Sequence, residues 1–295
     1  MKKISALLML LCITLGVNAQ LLWKISGNGL SQPSYVFGTH HLAPLSIIDS
    51  IAGFKQAMNS VGQVYGELVM DDAKNPVNMQ KMQLATILPG DTTLHTLMTE
   101  AQYDSAAVKV KQLMGVDLKM FDKLKPAALN SQIAVILALK TIKGFNPQQQ
   151  QVDGWVQSEA LKQGKKVGGL ETLDFQMDVL FNSQSLHRQA EQLYGTLMHL
   201  QALEEATRKV AVAYMNQDLV LMEKYMTEKM GNACDFLPEE EEVLIYGRNA
   251  NWAKLMPSIM NGNPTMFVVG GGHLPGERGL LNLLKKQGYT VEAVK

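Results

Sequence analysis

"VFGTHHLAP" (residues 36–44) and "FVVGGGHLPG" (residues 267–276) share one pattern: an apolar run of β-formers, a glycine, two residues, then a histidine. The spacing is Gly38 to His41 in the first and Gly270 to His273 in the second. A glycine lets the backbone turn sharply where a strand ends, and a side chain three positions later then projects over the carboxyl edge of a sheet. Two strands from opposite ends of the chain are thereby predicted to bring His41 and His273 together. Neutral imidazole is the commonest metal ligand, and two of them with a carboxylate and an open position make a hydrolytic metal site. Each motif alone is weak, because a lone histidine at a strand end is usually a hydrogen-bonded structural residue; the repetition carries the argument. "VGGGH" also has a rival reading as a phosphate cradle, but it lacks the P-loop lysine and the spacing of a dinucleotide fingerprint.

Outward from these two stretches, strand-like text sits at both ends of the chain. "LLWKI" and "SYVFG" flank the turn "SGNGLSQP", a helical segment runs from Pro44 to Asn59, and "QVYGELVM" follows, so the first three strands suggest one edge of a mixed sheet. From about residue 76 to 262 apolar residues recur at helical spacing, interrupted by "GKKVGGLET", a glycine-bounded β-like run that returns to the sheet. "TMFVVGGGH", a helix from about Glu277 to Gln287, the Gly288 stop and "YTVEAV" close the sequence. The expected class is α/β or α+β: one domain, residues 20–295, with a mixed central sheet formed by both chain ends and a long helical insertion in the middle. The 18 methionines fall largely in that insertion and read as adaptable core packing.

The third ligand should come from another strand end. Glu67 is an acid in otherwise apolar β text, and a carboxylate there needs a partner or a cation. Glu171 ends the glycine-bounded run in the same way, so one of the two is a candidate ligand and the other a candidate general base. Arg248, in "YGRNANW", offers a guanidinium for a carboxylate or an oxyanion, although by itself it reads as a helix-surface arginine. Glu239 to Glu242 follow Pro238 and complement a helix dipole. His95, His187 and His199 stand on helical text and read as solvent-facing.

Composition narrows the function classes. Lys plus Arg equals Asp plus Glu at 27 each, which gives no electrostatic case for nucleic acid or an anionic membrane. Lys2 and Lys3 precede an apolar stretch ending in Val-Asn-Ala, the pattern of a secretory signal over residues 1–19 cut after Ala19. That stretch is shorter than the roughly 20 residues of a membrane span, so a periplasmic or secreted protein with no transmembrane segment in the mature chain is expected. Cleavage removes Cys12, leaving Cys234 alone and no internal disulfide.

Together, the strand ending in GTxH, the early acidic strand, "DGWVQSEALKQGKKVGGLETLDFQ", the "RN..W" block and "VVGGGHLPGERGLLNLLKKQGYTV" resemble the TraB/GumN family, part of a Tiki-like metalloprotease superfamily, over nearly the whole chain after the leader. The resemblance implies a metal-dependent hydrolase carrying Mn²⁺, Co²⁺ or Zn²⁺. His41 and His273 correspond to the paired family histidines and Glu67 to the family acid, with Glu171 and Arg248 in its other blocks. His40 takes the variable position of GTxH and is expected to point away or to support the site from behind. The leading expectation is an exported metallohydrolase, a peptidase among the candidate reactions, acting on a peptide or small molecule. The alternative is a haem- or metal-binding module of the same fold without turnover, since related superfamilies include haem binders and esterases.

Overall fold

The computed structural model describes residues 20–295; the expected leader, with Cys12, lies outside the described residues. Six strands, β1 (Leu22–Ser26), β2 (Ser34–Thr39), β3 (Gln63–Gly66), β4 (Lys166–Gly169), β5 (Thr265–Gly270) and β6 (Thr290–Ala293), form one mixed sheet in the order β4-β3-β5-β2-β1-β6. The fold is α/β, with strands from both chain ends at the centre and helices over most of the chain between them. The first three strands do not form an edge as the sequence suggested. β5 inserts between β2 and β3 and pairs parallel to both, while β4 lies outside β3, also parallel. β1 joins β2 and β6 antiparallel. The β1–β2 turn is tight because Gly27, Asn28 and Gly29 all take left-handed φ, at 77°, 46° and 83°.

β5 reads "TMFVVG" without alternation because layers cover both of its faces, as parallel strands require. Its Met266, Phe267, Val268 and Val269 are fully buried with Phe37 and Val64 from its neighbours, and with Trp252 and Met256 of the Gly247–Gly262 helix. A second apolar cluster lies within the helical middle, where Leu94, Val110, Leu129, Ile133, Leu193 and Leu197 bury one another. The helices that build it start at side-chain caps: Thr99 accepts from the Gln102 amide and Ser185 from the Arg188 amide.

Two boundaries differ from expectation. The Pro44–Asn59 segment splits into a 3₁₀ helix Leu45–Ser50 and an α-helix Phe54–Ser60, broken at Gly53 with φ 69°. The late helix begins at Leu280 rather than Glu277, because residues 275–279 first close a turn in which a Cβ at Gly279 would lie 1.9 Å from the Pro275 carbonyl oxygen. No described helix is long and apolar enough to cross a membrane.

Candidate functional site

Parallel pairing fixes which strand ends are neighbours. Thr39 of β2 is in register with Gly270 of β5, Gly66 of β3 with Val268 of β5, and Gly66 with Gly169 of β4. Read across the carboxyl edge of these four strands, the side chains that follow them are Glu171, Glu67, His273 and His41. The pairing continues one step past the strands, since the Glu171 amide donates to the Glu67 carbonyl at 2.9 Å. His273 ends a 3₁₀ turn, Gly271–His273, directly after β5.

The glycines of the two repeated motifs do not make the sharp turns that the sequence suggested. Gly38 lies inside β2, and a Cβ there would meet Leu274 Cδ2 at 2.9 Å and Gly271 Cα at 3.2 Å. Gly270 takes φ −53°, open to any residue, yet its Cβ would come 3.3 Å from Glu67 Oε1 and 3.5 Å from the His273 ring. Both are spacing residues. They let adjacent strand ends approach closely enough for the Gly270 amide to donate to Glu67 Oε1 at 2.8 Å.

Arg248 holds the cluster together. Nε and Nη2 donate to Glu171 Oε1 and Oε2, each at 2.8 Å, and Nη2 also donates to Glu67 Oε2 at 2.6 Å. Nη1 donates to the Leu244 carbonyl at 3.1 Å and faces His273 Nε2 at 3.2 Å, so all five guanidinium protons have acceptors. The head stacks over Trp252, 4.8 Å from the ring centre, and Trp252 Nε1 donates to Glu171 Oε1 at 2.9 Å. Only 8% of Arg248 is exposed. The surface arginine that its helical context suggested is a buried one, because two carboxylates wait for it at the strand ends. It enters the site from the π-helical turn Glu242–Tyr246, where the Gly247 amide reaches back five residues to the Glu242 carbonyl. Such turns often mark functional positions in helices.

The protonation states follow from these partners. Asn249 Nδ2 donates to the carbonyls of His273 and Arg278, which turns Asn249 Oδ1 to accept from His273 Nδ1 at 2.7 Å. The His273 proton is thereby assigned to Nδ1, with the Nε2 lone pair inward. Burial lowers the His273 pKa to about 4, so the ring is neutral at pH 7. Glu67 is held below the usual carboxylate range: burial pushes it up, and the charges around it, the Arg248 guanidinium among them, together with the Gly270 amide more than offset that. At His41, Nδ1 donates to Asp153 Oδ2 at 3.1 Å, and Thr39 Oγ1 donates to the other Asp153 oxygen at 2.6 Å. The Asp153 charge raises the His41 pKa to about 9, although 56% of the imidazole side chain is open to solvent. His40 supports the loop: its Nδ1 accepts from the Leu42 amide, its ring packs 5.3 Å from that of Tyr214, and burial lowers its pKa to about 4.

Sequence reasoning missed Asp153, Gln176 and the individual roles of Asn249 and Trp252. Gln176 donates to Glu67 Oε2 at 3.1 Å. A signal for Asp153 was present: Val152, Val156 and Ala160 form the buried stripe of one helix, and Asp153 and Gln157, four apart, border it. Gln157 uses that position to bridge the Leu68 carbonyl and the Met70 amide. His95, His187 and His199 lie on the surface as expected. In the glutamate run Glu240 is buried and paired with Arg188 at 2.8 Å, a contact beyond helix-dipole complementarity.

Among the described residues no three His, Cys, Asp or Glu side chains already converge as a cation cage. The cation shared by Glu67 and His273 is the Arg248 guanidinium. The donor chemistry nevertheless suits a divalent ion. Glu67 is ionised, and both His273 and His41 commit Nδ1 to an acceptor, the arrangement that orients metal-bound imidazoles; the ion would take the Nε2 of His273 from Arg248 Nη1 and that of His41 from the proton that Asp153 holds on the ring.

The sequence matches the TraB/PrgY/gumN family over residues 21–293, and the chain belongs to that family. It is 24% identical over 315 residues to the protein named Metalloprotease TIKI2 of Danio rerio, covering 92% of this chain and 60% of that one. It is 23% identical over 323 residues to the Metalloprotease TIKI homolog of Nematostella vectensis, covering 89% of this chain and 65% of that one. The chain thus spans less than two thirds of the length of these relatives. No solved structure matches it significantly.

Proposed function

We propose that this protein is an exported metal-dependent hydrolase that cleaves peptide bonds at the carboxyl edge of its sheet. The observation that supports this reading most is the buried cluster in which Glu67, Glu171 and His273 meet one guanidinium, in a family whose named relatives are metalloproteases. His41, Glu67 and His273 would hold a divalent ion such as Mn²⁺, Co²⁺ or Zn²⁺. When bound, such an ion acidifies water and polarises a carbonyl. Glu171 commits both oxygens to Arg248 and Trp252, so it fixes the guanidinium. Glu67 or Glu171 would take the proton, and Arg248 would steady negative charge developing on a carbonyl oxygen once that oxygen displaces one of its present acceptors. Asp153 holds the His41 ring in place, and Asn249 fixes the tautomer of His273. Export rests on the Lys2-to-Ala19 pattern, and sequencing of the protein recovered outside the cytoplasm should begin at Gln20.

The test uses His41→Ala, Glu67→Gln and His273→Ala, each dialysed against Mn²⁺, Co²⁺ and Zn²⁺. Metal content is read by plasma emission, and cleavage of a mixed peptide library by mass spectrometry. Wild type should bind one ion and cut peptides, and each variant should lose stoichiometric metal and at least about a hundredfold in rate. Unchanged metal content in all three variants would falsify the assignment.

A further inference from the structure

We propose that the cavity beside Arg248 and Gly272 is a subsite for a large apolar side chain of the substrate, next to the bond that is cut. What is bound there rests on the hydrolase reading; that the cavity takes an apolar group does not. The cavity has a volume of about 480 Å³, within the range of small-molecule pockets. Met226, Phe236, Leu244 and Ile245 line it together with Arg248 and Gly272. Met226 and Phe236 remain 47% and 46% exposed, so the chain leaves apolar surface uncovered at this wall.

Continuity with the site is direct. Arg248 belongs to both the cavity and the charge cluster, and Gly272 precedes His273. A Cβ on Gly272 would lie 2.5 Å from Met226 Cε, so the methionine methyl covers the backbone one residue from the candidate ligand. A peptide with its carbonyl at Arg248 therefore has this cavity within reach of an adjacent side chain. Methionine walls adapt to varied apolar shapes, which suits a broad preference for large side chains.

Charge at the mouth sharpens the choice. Glu223, Glu241 and Glu277 line it, whereas its two arginines are committed, Arg248 to Glu67 and Glu171, and Arg278 to Glu242 at 2.7 Å. Glu241 pairs with Lys229 at 2.6 Å and Glu277 with Lys286 at 3.7 Å, while Glu223 makes no ion pair among the described residues. An acidic side chain is disfavoured there.

The experiment observes the methyl group of Met226 by NMR in methionine-labelled full-length protein, in wild type and in Glu67→Gln. The probes are the N-acetyl amides of phenylalanine, glycine, aspartate and lysine, and Met226→Leu assigns the resonance. The phenylalanine amide should move the Met226 methyl in both proteins, binding at least tenfold more tightly than the other three. In library cleavage, large apolar residues should dominate one fixed position beside the cut, and Met226→Trp should lower the ratio of kcat/KM for phenylalanine over glycine there at least tenfold. A methyl unmoved by the phenylalanine amide, a preference for lysine, or cleavage without apolar preference each overturns the subsite. Binding of the phenylalanine amide without cleavage of any peptide overturns the hydrolase reading and leaves the subsite standing.

Discussion

Replacing Arg248 by methionine removes the cation but keeps most of the apolar stem. Glu67 and Glu171, whose side chains are 12% and 5% exposed, are then left facing each other without their shared counter-charge. Removing one partner of a buried ion pair costs about 3–5 kcal/mol, because the remaining charge stays desolvated. At about 2–4 °C per kcal/mol for a domain of this size, the melting temperature should fall by on the order of 10 °C. The loss has a definite pH sign. In wild type the Glu67 pKa is depressed, so its contribution is present above the ordinary carboxylate pKa and fades as pH falls through the lowered value. Without the guanidinium, burial dominates and raises that pKa, so the variant weakens as pH rises through the carboxylate range and the gap to wild type widens between about pH 4 and 7. Calorimetry and urea unfolding with chelator present measure both effects. Arg278→Met, which breaks the exposed pair with Glu242 and a surface stacking contact on Tyr246, is the control and should move the melting temperature far less. Adding Glu171→Gln to Arg248→Met should recover part of the loss. A cost below about 1 kcal/mol, or a gap that narrows with rising pH, would refute the account of Arg248 as the counter-charge of two buried carboxylates.

Three further outcomes follow from the same geometry. Asp153→Asn should bring the His41 titration from about 9 down toward 6.5, read by imidazole NMR; in wild type the stabilisation from this pair is full below pH 6.5 and lost as pH rises through about 9. An unchanged midpoint would mean that Asp153 does not set the His41 charge. Gly38→Ala should cost about 1–3 kcal/mol in urea unfolding, because its Cβ meets Leu274 and the Gly271 backbone, while Gly270→Ala should cost less and mainly reduce metal content by displacing Glu67. Equal behaviour of the two variants would remove the distinction. Glu240→Ala should cost about 1–3 kcal/mol by leaving Arg188 and the Leu237 amide without their acceptor, and Glu239→Ala on the exposed face should be silent.

The sequence made the strand ends legible because their chemistry is local. Apolar β text broken by glycine and followed by histidine needs no distant partner to be seen, and an acid such as Glu67 is conspicuous inside such text. Strand order was not legible. That β5 pairs with β2 and β3, which stand close to each other in sequence, is decided by packing between residues more than 200 positions apart, and no local pattern encodes it. Helix-borne members were hardest to see. Arg248, Asn249 and Asp153 occupy ordinary polar helix positions, and their burial appears only once their helices dock on the strand ends that carry the carboxylates and histidines. The repeated glycines were noticed for their flexibility, whereas their use is the absence of a Cβ, which depends on neighbouring strands.

Placing a late-synthesised segment at the centre of the sheet has a consequence for how the protein comes into being. Until residues 265–270 arrive, β2 and β3 have no common hydrogen-bonded neighbour, and Glu67 lacks the Gly270 amide that helps to hold it ionised. A partly made polypeptide therefore carries no assembled charge cluster, and completion of the sheet and of that cluster is a single event. Pairings of such long sequence separation slow folding, so the interval before that event is an exposed one, in which the apolar β2 and β3 edges are open to aggregation and to holdase chaperones.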